Sequence, residues 1–274
     1  MNLSDLPKQP SWVRIPLFFL ILLSLWLPIA LPVYLIWYER AGIGLVIFLY
    51  VLFVGLIGWW GRQMGYSQPY REYGLSWSGR SGLELCLGLL VALVCFAGLM
   101  GGMVGWGWLA VRTVVWWRAI PEGLMVGLGV SLAEELLFRG WLLQELLPHG
   151  RRVALWASSL IFALLHFLKP LEVILRTWVQ FPGLVLLGLV LVWGRWGYGN
   201  RLSMPIGIHW GLVWGYYVVN TTGWLTPTGT VSAWVTGIDG NPLAGAMGLL
   251  CLGLLGIIVK LLEIPELDRV RNKS

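Results

Sequence analysis

The chain alternates long apolar runs with short polar breaks. Runs of about 20 apolar residues, the length that crosses roughly 30 Å of hydrocarbon, occur near 16–38, 42–60, 83–108, 123–147, 153–168, 178–194, 203–219 and 243–263. The fifth is short. The pattern predicts an all-α fold, a polytopic transmembrane helical bundle of about eight spans. The first run is longer than a secretory signal, contains Pro28 and Pro32 and lacks a small-residue cleavage site, so it reads as the first span. The longest breaks are 61–81 and 220–242, and the second has no Lys or Arg, as an external loop should. Neither has room for a soluble domain, and no internal repeat stands out. The expectation is a single integral membrane domain over residues 1–274.

Composition agrees. The chain is 58% hydrophobic and 12% charged, with mean hydropathy +0.76, where soluble domains carry about 25% charged residues. Thirty-six glycines predict close backbone approach between spans. Of the 19 tryptophans, Trp37, Trp59, Trp60, Trp116, Trp117, Trp193, Trp196 and Trp224 fall near span ends, as headgroup-level aromatic belts require. Cys86, Cys95 and Cys251 have neither metal-like nor disulfide-like spacing and read as buried filler.

Charge sets the expected orientation. With the N-terminus inside, the inner segments hold Lys8, Arg14, Arg62, Arg71, Arg80, Arg151, Arg152, Arg195, Arg201, Lys260, Arg269, Arg271 and Lys273. The outer ones hold Arg40, Arg112, Arg118, Lys169 and Arg176, a ratio of 13 to 5. The positive-inside rule then places both termini in the cytoplasm, and the plasma membrane is the expected location. The net charge of +6 fits a basic face on anionic lipid and requires no nucleic acid.

Three charges interrupt the fourth run. Glu134, Glu135 and Arg139 lie in AEELLFRG, where ionisable groups are costly and mark function by default. Glu135 and Arg139, four apart, share a helical face and can pair. Glu134 faces elsewhere without an intrahelical cation, and desolvation poises its carboxylate to accept a proton. Phe162 and His166 are also four apart. The turn near Pro148 to Arg152 makes the fourth and fifth spans a hairpin, in which Glu134 and His166 both lie about 16 residues from position 150 and hence at one depth. A carboxylate and an imidazole meeting there can activate a water molecule. His209, in SMPIGIHWG, sits about two turns shallower by simple register. It joins the site only if the 195–204 connection dips into the interior.

Jointly, Glu134, Glu135 and Arg139 as EExxxR, Phe162 and His166 as FxxxH, and His209 at a later helix start resemble the CAAX protease and bacteriocin-processing (Abi) family of intramembrane proteases. The resemblance covers about Trp117 to Tyr217. It implies a glutamic-type endopeptidase related to the type II prenyl protein peptidases, acting on a peptide or protein substrate in the membrane and needing no cofactor. Glu134 would be the base, His166 its assistant, Glu135 and Arg139 the charge network, and His209 the oxyanion stabiliser. Where that family usually has HxxxN, this chain has Val213, which cannot donate to developing negative charge. Tyr216, on roughly the same face but about 10 Å further along, is the candidate substitute. Two other readings stay open: a zinc enzyme using Glu134, His166 and His209, and a non-catalytic immunity or scaffold protein. A proton-coupled transporter is disfavoured by the lack of inverted repeats.

Overall fold

The computed structural model describes residues 3–37 and 42–263, so Arg40, Arg269, Arg271 and Lys273 of the charge count lie outside the described residues. Eight helical rods coincide with the eight apolar runs. They are α1 (Ser11–Ile36), α2 (Gly42–Gln63), α3 (Gly79–Gly105), α4 (Ala119–Glu135) continued by a π turn (Leu136–Leu142) and α5 (Leu143–Leu146), α6 (Arg151–Leu165), α7 (Leu171–Thr177) leading into α8 (Phe181–Gly197), α9 (Ser203–Thr222) and α10 (Ala246–Leu261). By length and composition α1, α2, α3 and the α7–α8 rod can each cross a membrane, and α10 is a shorter apolar helix. The chain is a membrane protein.

Local chemistry sets the ends. Ser78 caps α3 by accepting from the Ser81 amide at 3.1 Å, and α9 stops at Gly223 in the left-handed region (φ 63°). Prolines 16, 28 and 32 lie inside α1. One departure from the all-helical expectation is a small antiparallel pair, β1 (Leu109–Val111) with β2 (Leu225–Pro227). It ties the 220–242 loop to the segment after α3.

α9 packs between α3 and α4 because small residues clear its path. Gly207, Gly211 and Gly215 recur every four residues and face α3. A methyl group on Gly207 would strike the Leu85 carbonyl, and one on Gly211 would sit 2.8 Å from Ala92 Cβ. On the α4 side, Gly123 and Gly127 receive Tyr217 and Trp210. There Trp210 and Trp214 donate from Nε1 to the carbonyls of Leu124 (2.9 Å) and Ile120 (3.1 Å). Close backbone approach of this kind supplies the dispersion contacts that hold helices in lipid.

Some expectations change. Trp60 is not a belt residue but is fully buried, donating to Glu145 Oε1 at 3.0 Å and packing with Phe18 and Trp141. Arg14, counted with the inner tail, is buried in an ion pair with Glu145 at 2.8 Å. Arg195, counted with an inner loop, is 2% exposed. Cys86 is exposed, and Cys95 and Cys251 are half-buried, so burial does not explain them. For Trp60, Arg14 and Arg195 an inter-helix contact overrides position along the chain.

Gly207→Val should destabilise the purified protein by about 1–3 kcal/mol through overpacking. Gly55→Ala, where an added methyl group meets nothing within 4 Å, should leave the unfolding midpoint in detergent unchanged.

Candidate active site

Glu135 is the fixed point of the polar cluster. It is fully buried, and its Oε1 accepts from Arg139 Nη1 at 3.0 Å, the i,i+4 pairing that the helical spacing predicts. The same oxygen lies 2.8 Å from His209 Nδ1, whose hydrogen it must accept because a carboxylate has none to give. Arg139 is 1% exposed. Its second terminal nitrogen donates to the Gly188 carbonyl at 3.5 Å, and its guanidinium carbon stands 4.2 Å from the Phe162 ring centre.

Glu134 faces the other way, towards both imidazoles. Its Oε2 lies 3.9 Å from His166 Nε2 and 3.9 Å from His209 Nε2. That is too long for a direct hydrogen bond, and a single water can bond across it. Glu134 Oε2 is itself buried with no partner among the described residues, and such an oxygen calls for water or a ligand. The side chains of Glu134 and His166 remain 26% and 31% exposed, whereas that of His209 is 5% exposed. His166 Nδ1 lies 2.8 Å from the Phe162 carbonyl. A carbonyl only accepts, so Nδ1 carries hydrogen and donates to it, which leaves Nε2 as the nitrogen turned to Glu134. Phe162 is fully buried, its ring packed against His166 (4.5 Å), Phe138 (5.1 Å) and His209 (6.2 Å). It shapes the site from beneath.

His209 reaches this depth because the connection before α9 is anchored in the bundle at Tyr198 and Leu202. Tyr198 and Leu202 have no exposed surface, and the Leu202 amide donates to the Gly74 carbonyl at 2.8 Å. A methyl group on Gly140 would lie 3.5 Å from Leu202 Cδ1, so α9 starts level with Gly140. From there Glu134 is six residues along one rod and His209 seven along the other, about 9 and 10 Å of helix.

Several contributors were not legible in the sequence. Arg195 donates from Nη1 to the carbonyls of Arg139 and Gly140 (the latter 3.3 Å) and from Nε to that of Asn200 (3.3 Å). The first two carbonyls lie in the π turn, whose wider winding departs from the ordinary i→i+4 ladder. Arg195 thus pins the turn that carries Arg139. From α2 comes Tyr50. Trp60 and Glu145 are hydrogen-bonded across the two rods. Tyr50 lies ten residues before the one and Glu134 eleven before the other, about 15 Å along each helix. The Tyr50 hydroxyl lies within electrostatic reach of the Glu134 carboxylate. Tyr216 instead packs with the second apolar cluster, around Phe96, Met100, Met103 and Leu109. Nearly two turns beyond His209, it does not substitute for the missing donor at Val213.

An acid, two imidazoles and an arginine-clamped second acid, gathered from α4, α6 and α9, are what the sequence motifs required to meet. Residues 116–215 match the family described as type II CAAX prenyl endopeptidase Rce1-like. The Rce1-like segment contains Glu134, Glu135, Arg139, Phe162, His166 and His209, and nearly coincides with the Trp117–Tyr217 stretch of the motifs. Peptidase is the general class it implies. The chain is also 40% identical over 95 residues to "Uncharacterized protein YpbD" of Bacillus subtilis (strain 168). That alignment covers 34% of this chain and 42% of YpbD, so it spans less than half of the relative. No solved structure matches.

Arg139→Met, which leaves the buried Glu135 carboxylate with His209 as its remaining partner, should cost about 3–5 kcal/mol in denaturant unfolding of the detergent-solubilised protein. Arg195→Met should cost less, about 1–3 kcal/mol, since it strands neutral carbonyls.

Proposed function

We propose that the chain is a glutamic-type, CAAX-protease-like intramembrane endopeptidase that hydrolyses a peptide bond of a membrane-associated or lipid-modified substrate. The observation that carries this reading is the convergence of both imidazole Nε2 atoms on the unpartnered Oε2 of Glu134. A water held there gives a proton to Glu134 as its oxygen attacks the scissile carbonyl carbon. His166, with its Nε2 turned to Glu134, orients that water. Glu134 then passes the proton to the departing amine, so the acid is regenerated as a carboxylate.

The two histidines take different parts. His209, whose Nδ1–H is held on Glu135, turns Nε2 to the same water and stabilises the developing oxyanion when that nitrogen carries hydrogen. Glu135 and Arg139 act as positioning residues. Both termini face the cytoplasm, and the membrane is the plasma membrane. The partners are the peptide substrate and the lipid bilayer, with no nucleic acid.

Zinc on Glu134, His166 and His209 fits less well than water. Bonds of about 2.1 Å in a tetrahedron hold ligand atoms about 3.4 Å apart, and here both distances from Glu134 are 3.9 Å. Among the described residues no group of three His, Cys, Asp or Glu has metal-holding geometry. Metal analysis of the purified protein and sensitivity to chelators distinguish the two versions. A non-catalytic immunity or scaffold protein is the second reading, favoured by Val213 at the donor position.

Glu134→Gln and Glu134→Ala should each abolish cleavage of a reporter substrate in proteoliposomes while expression and unfolding midpoint stay near wild type. Full cleavage by either variant removes the peptidase reading. An unchanged cellular phenotype in Glu134→Gln, with destabilisation only on loss of Arg139, supports the scaffold.

A further inference from the structure

At the end of the bundle that carries the Gly150 turn lies a cavity of about 1970 Å³. Its walls come from the α2–α3 connection, the start of α6, the end of α8 and the end of α10. Six cations line it: Arg62, Arg71, Arg151, Arg195, Arg201 and Lys260, against two carboxylates, Glu72 and Glu263. Glu84 neutralises Arg201 through a two-point ion pair and raises its pKa mainly through that hydrogen bonding. The other five cations make no ion pair among the described residues.

Three of those five are held in place by neutral groups. Arg151 lies over the Trp196 ring at 4.5 Å and Lys260 over the Trp193 ring at 4.4 Å, which orients each charge without cancelling it. Arg195 is 2% exposed and bonded only to backbone carbonyls among the described residues. A buried guanidinium without a carboxylate is costly unless an anion completes it. Arg62 and Arg71 are exposed on the approach. Guanidinium groups suit phosphate oxygens, which accept paired N–H donors. Basic pockets between transmembrane helices are the setting in which lipid phosphates bind.

We propose that this cavity is a binding site for a phosphate-bearing anion, a lipid headgroup or a soluble phosphate compound, with Arg62 and Arg71 capturing it and Arg195 and Lys260 completing the site. The proposal does not rest on the peptidase reading, although Arg195 also hydrogen-bonds the turn that carries Arg139.

The test uses the purified full chain. Native mass spectrometry measures retention of phosphatidylglycerol and cardiolipin against phosphatidylcholine, and calorimetry measures binding of inorganic pyrophosphate. The wild type is compared with Arg62→Gln/Arg71→Gln and with Arg152→Gln, an exposed arginine beside the cavity but outside its lining. Selective retention of anionic lipid, weakened at least tenfold in the double variant and unchanged in Arg152→Gln, supports a headgroup site. Pyrophosphate binding with the same dependence and no lipid selectivity supports a soluble ligand. Absence of both, or an equal loss in Arg152→Gln, overturns the proposal. Should the double variant not fold, Arg71→Gln alone carries the comparison.

Discussion

The whole polar interior turns on one carboxylate oxygen. Glu135 Oε1 accepts from Arg139 on its own rod and lies against His209 from α9, so a single buried atom fixes the relation between two helices. In a bilayer an unpaired charge at that depth is costly, and the pair tolerates little displacement. The Phe162 ring beneath Arg139 and the Gly188 carbonyl beyond it close the remaining directions. Glu135 Oε2 and Glu134 Oε2 are both buried without a partner among the described residues, but it is the Glu134 oxygen that lies 3.9 Å from each imidazole Nε2.

The surrounding fold serves that arrangement. Glycines on α3, α4 and α9 bring backbones close enough for His209 to reach Glu135. The connection anchored at Leu202 sets how deep α9 begins, and Arg195 holds the π turn from outside. Below, Arg14, Glu145 and Trp60 form a second buried polar group that ties α1 and α2 to the same rod. Through it, α2 and Tyr50 are registered against a site that lies otherwise within the Rce1-like segment.

Local regularities carried much of this into the sequence. The spacing of four between Glu135 and Arg139 is a helical contact. The equal distances of Glu134 and His166 from the Gly150 turn fix depth in a hairpin, because both helices leave the same point. His209 was ambiguous for the same reason: its depth is set by where an anchored connection enters, a tertiary fact that counting from a membrane edge misses. Arg195 and Trp60 stand near span ends and read as interfacial residues, yet inter-helix hydrogen bonds draw them inside. The Gly207, Gly211 and Gly215 series could have flagged the α3–α9 contact, since spacing of four places small residues on one face. Tyr50 had no comparable signal, because its register depends on the contact between Trp60 and Glu145.

Nitrogen NMR of the labelled protein in lipid at neutral pH reads directly which ring nitrogen of each site histidine carries hydrogen. The expected result is hydrogen on Nδ1 of both, shared with the Glu135 carboxylate in His209 and with the Phe162 carbonyl in His166. A bare Nδ1 on either ring would contradict the arrangement of the site around Glu134.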